Sequence, residues 1–268
     1  MRGMRKMNWH DPTDKSRPII SPQAQIAGFL RNRANLERFR VHERFLMDQT
    51  GCDAALEGQL PVQKEPFPIP AFLGNRTLYV IETEPRISLV EKALAAPIAV
   101  DVLEVAVAMG ARKLFFLGLC GAIADNLEIG DMVMPLDVER EEGTSYHYVP
   151  ADARVRPDMN LAGRLADFLS RRREPRVCQG RTVTTDAVFR QTLNKERRWR
   201  DNGILGVDME TSALLAAAQF YGLPAVCLLV VSDKHVLEEE SQWHWGGTTL
   251  KESHANAVRL FTQFITTT

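Results

Sequence analysis

Gly203-Ile204-Leu205-Gly206-Val207-Asp208-Met209-Glu210-Thr211-Ser212-Ala213, continued through Tyr221 and closed by Leu228-Leu229-Val230-Val231-Ser232-Asp233, reads as a helix start, a helix and a buried strand. Small apolar residues from Ala213 to Ala218 suit a helix packed closely on a sheet, and Gly222-Leu223-Pro224 supplies the stop. Ala225 to Val231 is an unbroken apolar run, the pattern of a strand covered on both faces. Asp208 and Glu210 fall where the helix begins, and Asp233 falls where the strand ends. In α/β proteins those are the places where ligands bind. The same acids are also what a helix start and a strand end favour on local grounds alone.

Working outward, Leu78 to Ile81 reads as a strand, Pro97 to Met109 as a helix and Leu114 to Leu119 as a second buried strand ending at Cys120-Gly121-Ala122. Gly118 and Gly121 let backbone approach a ligand or a neighbouring element. Asn126 to Asp131 is a turn, and Met132 to Pro135 a short strand. Arg154 to Arg173 carries Leu161, Leu165 and Phe168 at helical spacing, and Lys251 to Ile265 reads as a closing amphipathic helix. The alternation implies an α/β fold: a single-domain three-layer α/β/α sandwich around a mixed, largely parallel twisted sheet.

Val-Asp-Met-Glu followed by Val-Ser-Asp resembles the nucleoside phosphorylase-I family, which includes purine nucleoside phosphorylases, uridine phosphorylases and nucleosidases. Leu117-Gly118-Leu119-Cys120-Gly121-Ala122 and Ile129-Gly130-Asp131 match the same family in order and spacing. Glu142 to Tyr148 is similar to a segment of a uridine-phosphorylase-like branch. The resemblance implies that Glu210 holds the ribose hydroxyls, that Met209 packs under the sugar beside Asp208, and that Asp233 is the general acid on a purine base. Thr184-Thr185-Asp186 corresponds to the loop before the base pocket, with Val188 and Phe189 where aromatic stacking residues are usual. Thr185, Phe189, Gly121 and Cys120 join the expected substrate site. The chemistry stands on its own: a carboxylate can accept from two neighbouring hydroxyls, and a partly buried Asp can hold a proton at neutral pH.

The departures concern the acceptor. Family members carry an Arg and a Ser or Thr at the positions of Phe116 and Leu119, and neither residue here can neutralise phosphate. The Gly-Asp-Pro-x-Arg loop is missing, and Lys92-Ala93-Leu94-Ala95-Ala96 replaces the glycine-rich turn before the helix. Phosphate is therefore held by other cations, with Arg86, Lys92 and Arg140 as candidates, or water replaces it. The expected reaction is phosphorolysis of a nucleoside to free base and ribose-1-phosphate, with hydrolysis or non-catalytic nucleoside binding as alternatives. No cofactor is expected beyond inorganic phosphate as co-substrate.

The 33 Lys and Arg against 34 Asp and Glu leave a net charge of −1, which gives no nucleic-acid footprint. No apolar run approaches the roughly 20 residues of a membrane span, and the start lacks a signal peptide's apolar core, so a cytoplasmic place is expected. The four cysteines, Cys52, Cys120, Cys178 and Cys227, are far apart and read as reduced thiols. No His, Cys and carboxylate cluster has metal spacing.

The first 65 residues add nothing to the resemblance. They are expected to form an N-terminal extension, partly helical, with the catalytic domain over 66–268. Pro22 opens a helix over Gln23 to Arg33, a second runs from Leu36 to Met47, and Pro61 to Pro70, with four prolines, reads as a loop or edge crossing. The arginines at 31, 33, 38, 40 and 44 fit a solvated face before they fit an anion site. Glu238-Glu239-Glu240 and Trp243-His244-Trp245 form a loop suited to a lid or an oligomer contact, and His147 and His235 are second-rank site candidates. The resemblance implies a homo-oligomer, dimer or hexamer.

Overall fold

The computed structural model describes residues 14, 16, 18–31, 40–51, 61–70, 73–172, 174–237, 243 and 245–268. The strands are β1 (Arg44–Asp48), β2 (Val62–Phe67), β3 (Arg76–Ile81), β4 (Ile87–Glu91), β5 (Lys113–Ala122), β6 (Met132–Glu141), β7 (Val177–Thr185), β8 (Ile204–Asp208) and β9 (Ala225–Lys234). The helices are α1 (Pro22–Leu30), α2 (Ala96–Met109), α3 (Met159–Ser170), α4 (Leu193–Asp201), α5 (Thr211–Tyr221) and α6 (Gly247–Thr266).

Successive residues of a strand point to opposite faces, and here both faces are apolar. Phe45 and Met47 of β1, with Leu114 and Phe116 of β5, pack with α2 and α5. Leu46, Phe115 and Leu117 pack with α3 and α6 on the other side. A sheet apolar on both faces must be covered on both, which gives the three-layer α/β/α sandwich. The nine strands run β2-β3-β4-β1-β5-β8-β7-β6-β9, and β5 also pairs with β9, closing the β5, β8, β7, β6 and β9 portion into a ring. Pairings of β1 with β4 and β5, of β5 with β9, and of β7 with β6 and β8 are parallel; the other four are antiparallel.

Three local readings are corrected. The second expected helix, Leu36 to Met47, begins outside the described residues, and its end is strand β1. Met47 pairs with Val90 on one side and Phe116 on the other, so ladder bonds and burial override a locally helical pattern. Those five residues, assigned from sequence to an extension, lie inside the sheet. Pro61 to Pro70 contains the edge strand β2, where Pro66 is tolerated because one side of an edge strand needs no ladder donor. Strand β6 continues past Pro135 to Glu141, and its register with β7 skips Leu136, a bulge beside the residue that lacks an N–H.

Cys120 and Cys227 are buried free thiols and Cys178 is a half-buried one; Cys52 lies outside the described residues. No helix among the described residues is long and apolar enough to cross a membrane. Phe115 has no measurable exposure and meets Phe261 and Phe264 edge-on at 6.0 and 6.2 Å. Phe115→Ala is expected to lower stability by about 3–5 kcal/mol, read by urea denaturation, because the cavity cannot collapse between sheet and helix.

Candidate active site

The parallel register puts the carboxyl ends of β1, β4, β5 and β9 at one pole of the sheet, with the β8–α5 junction beside them. At that junction Asp208 is buried and surrounded by donors. It accepts from Thr184 Oγ1 at 2.6 Å, from the Thr211 N–H at 2.7 Å, from the Glu210 N–H at 3.3 Å, and from the Thr211 hydroxyl. Burial pushes its carboxyl up while those donors oppose the shift. With both oxygens committed, Asp208 fixes the chain that carries Glu210 rather than offering itself to a ligand.

Glu210 precedes α5, and its Oε1 accepts the Ala95 N–H at 2.7 Å, at the start of α2. Burial, then the charge of Asp208, pushes its carboxyl up to about 8. The turn that supplies Ala95 has no glycine, although Lys92 and Ala95 have φ of 59° and 68°. Such conformations cost a non-glycine residue of order 1–3 kcal/mol and persist where the surroundings enforce them. Met209, half-buried, lies between the two acids.

Asp233 is re-aimed by a bulge. Cys120 pairs with Val231 but Gly121 pairs with Asp233, so Ser232 is the extra residue. Asp233 Oδ1 is 2.5 Å from Ser232 Oγ; its Oδ2 accepts from Trp243 Nε1 at 2.6 Å and lies 2.9 Å from His235 Nε2. His235 Nδ1 is 2.8 Å from Glu196 Oε2 on α4. Burial alone would lower the imidazole, but the bonds and charges of Asp233 and Glu196 raise it to about 9. Burial likewise works to raise Asp233, yet His235, Ser232 and Trp243 hold it below the ordinary carboxylate value. These surroundings work against the expectation that Asp233 itself stores a proton at neutral pH and favour the proton on His235, which lies between two carboxylates. That histidine had no motif to mark it, and Glu196 lies 39 residues away in sequence.

Of the two uses expected of Gly121, approach of a ligand or of a neighbouring element, the structure shows the second: a Cβ there would run into His235 Nε2, so the glycine admits the histidine ring against β5. Cys120 is buried between the two acid clusters; burial, then Asp208 and Asp233, push its thiol well up, so it stays protonated. Thr185 is buried at the end of β7, its hydroxyl 3.5 Å from the Ala187 N–H. Phe189 is 95% exposed on a short 3-10 turn and stacks on nothing within the described chain. His147 is exposed on another such turn, which Glu142 ties to α5 by accepting the Ser145 N–H and the Ser212 hydroxyl.

The three candidate cations separate. Arg86 precedes β4 and Lys92 follows it, so they sit at opposite poles, with the five residues of the strand between them. Arg140 donates to Ser145 Oγ and to the carbonyls of Val149 and Pro150, so its guanidinium builds the loop rather than meeting phosphate. Lys92 remains at the pole that carries Asp208, Glu210 and Asp233, mostly exposed, with Nζ 3.2 Å from Glu91 Oε1. Phe116 is fully buried under α2 and α5, and Leu119 packs on the other face. Residues 238–242 and His244 of the tryptophan loop, and Arg33 and Arg38, fall outside the described residues. Among the described residues no group of three His, Cys, Asp or Glu could hold a metal ion.

Residues 53–268 match the family described as the phosphorylase superfamily. The chain is 26% identical over 174 residues to a DeoD-type purine nucleoside phosphorylase of Bacillus cytotoxicus, covering 62% of this chain and 72% of that protein. A Bacillus cereus protein of the same description is 27% identical over the same coverage. Among solved structures, uridine phosphorylase from Vibrio fischeri superposes with a TM-score of 0.73 at 18% identity, over 85% of this chain and 93% of that one. A purine nucleoside phosphorylase from Toxoplasma gondii in complex with immucillin-H gives 0.75 at 15%, over 87% and 93%.

Two substitutions test this geometry. Ala95→Gly is expected to raise stability by about 1 kcal/mol, strain relief exceeding the added unfolded-state entropy, as read by thermal melting. Gly121→Ala should cost about 1–3 kcal/mol, because the new methyl must displace the His235 ring. It should also bring the His235 titration back toward its ordinary range, as read by NMR.

Proposed function

The chain belongs to the phosphorylase superfamily, and on that premise we propose that it cleaves the N-glycosidic bond of a purine ribonucleoside by phosphorolysis. The products are the free base and ribose-1-phosphate, and no cofactor is needed beyond the phosphate itself. One observation carries the reading: a carboxylate for the sugar, Glu210, tied to the Asp208 cluster, and a proton-bearing pair for the base, Asp233 with His235, stand at the same pole, with Cys120 between Asp208 and Asp233.

The transition state resembles a ribosyl oxocarbenium ion, so catalysis needs anchored hydroxyls, a stabilised leaving base and a nucleophile on the opposite face. Ionised Glu210 accepts from the ribose hydroxyls, and Met209 lies beneath the sugar. As the bond to C1′ breaks, its electrons enter the purine and N7 becomes basic. The proton it takes is drawn from His235 through Asp233, which remains an anion before and after. Trp243 donates to Asp233 Oδ2, so that bond has to yield when a base takes its place. Lys92 is the described cation best placed to meet phosphate. Exposed Phe189 would then close the base site against a second subunit, in the dimer or hexamer the resemblance implies.

A second reading, with water as the acceptor, is favoured by the surroundings of Lys92. Buried Phe116, Asp48 and Glu91 occupy the strands there, and desolvating phosphate among them without matched cations costs several kcal/mol. A panel of purine and pyrimidine nucleosides, assayed with and without phosphate, separates the readings. Ribose-1-phosphate formed only with phosphate supports phosphorolysis, free ribose formed in both arms supports hydrolysis, and no free base from any nucleoside rejects both.

Glu210→Ala is expected to reduce kcat/KM by about 10²–10³-fold, the loss of two charge-assisted hydrogen bonds. The pH profile follows from the two shifts. Glu210 must lose its proton, so kcat/KM rises through about pH 8; His235 must keep its own, so it falls through about pH 9. His235→Gln should remove the alkaline limb and lower kcat. The same raised imidazole contributes stability that is complete below pH 6.5 and lost as pH rises through about 9.

A further inference from the structure

At the pole of the sheet opposite the catalytic end, a cavity of about 690 Å³ opens at the amino ends of β1 and β4. Arg40, Arg86 and Arg112 line it with His42, and Val80 and Met109 form apolar wall. Glu43 is its one lining carboxylate among the described residues. Glu43 is drawn away, lying 3.6 Å from Lys113 Nζ. Three arginines therefore line one cavity with a single described carboxylate to balance them.

The arginines do not share one structural explanation. Arg112 donates to the carbonyls of Val107 and Ala111 and so caps the end of α2, where a cation is favourable. Arg40 and Arg86 serve no such helix end, yet both approach His42 closely enough that burial, then Arg86, then Arg40 hold its imidazole below the ordinary value. His42 is fixed in place: Ser88 Oγ accepts its backbone N–H at 2.8 Å and lies 3.0 Å from its Nδ1. When the serine hydroxyl donates its hydrogen bond to Nδ1, Nε2 carries the ring's hydrogen and is a donor. Like charges gathered around a cavity repel one another, and an anion relieves that repulsion. Guanidinium forks match phosphate oxygens two at a time. The volume lies in the range of small-molecule pockets, and the apolar wall can take an organic body.

We propose that this cavity is a second ligand site, which binds a phosphorylated small molecule through Arg40, Arg86 and the His42 ring. The site is separate from the catalytic pole and stands whether or not the reaction proposed above is correct. Arg86, which sequence alone offered as a holder of the phosphate co-substrate, belongs here.

Isothermal titration of the full chain at constant ionic strength, with ADP in one arm and inorganic phosphate in the other, tests the assignment. Saturable binding of ADP, one per chain, weakened at least tenfold by Arg40→Ser and by Arg86→Ser, is the expected result; Arg86→Lys, which keeps the charge but loses the fork, should fall between. Nucleoside cleavage by these variants should stay within about twofold of wild type, and Glu210→Ala should leave ADP binding intact. If inorganic phosphate binds with the same dependence on Arg40 and Arg86, the site holds and the free anion is its ligand. Binding of neither anion overturns the proposal, as does binding that survives both arginine substitutions or is lost with Glu210→Ala.

Discussion

The proposed catalytic pole depends on one buried carboxylate. Asp208 gathers the hydroxyl of Thr184 from the end of β7, and both the hydroxyl and the N–H of Thr211 from the start of α5. A carboxylate in that position is costly to bury and becomes tolerable only because every neighbour donates to it. The consequence is geometric. Three elements meet at one point, and the Glu210 N–H is held in the same cluster. Glu210 can then reach across to the Ala95 N–H, and the strained turn before α2 is enforced from the far side of the pocket.

The two acids next to substrate in the proposed mechanism are held in opposite ways. Glu210 is buried beside another carboxylate, and both effects raise it toward neutrality. Asp233 is buried as well, but an imidazole, an indole and a serine hydroxyl keep it ionised. Pairs of titratable groups pushed apart by their surroundings are the usual mark of assigned acid and base roles. Here the proton belongs to a chain of contacts, Glu196 to His235 to Asp233, rather than to the aspartate in the motif.

Much of this was legible in the sequence, for physical reasons. Ala225 to Val231 reads as a strand because burial on both faces demands an unbroken apolar run, and the small residues of α5 show how close it lies to the sheet. Strand β1 was not legible: Arg44 to Asp48 has no local strand signal, and its state is set by β4 and β5, which come later in the chain. Phe116 could be recognised as unable to bind phosphate, but not as fully buried core. Arg86, Lys92 and Arg140 looked equivalent as charges. Only the register of β4 and the carbonyls around Arg140 separate them. The His235 and Glu196 contact depends on α4 folding back over the end of β9, which no spacing reveals.

The location of the catalytic proton is the claim on which the mechanism turns. Nitrogen-15 NMR of the His235 ring across a pH titration of the full chain reads it directly. The account requires an imidazolium at pH 7.5 that titrates near 9, and a fall below the ordinary histidine value, where burial alone would hold it, when Asp233 is replaced by Asn and Glu196 by Gln. A neutral His235 ring at pH 7.5 in the wild-type protein would contradict it, and the proton for the leaving base would then have to come from another group.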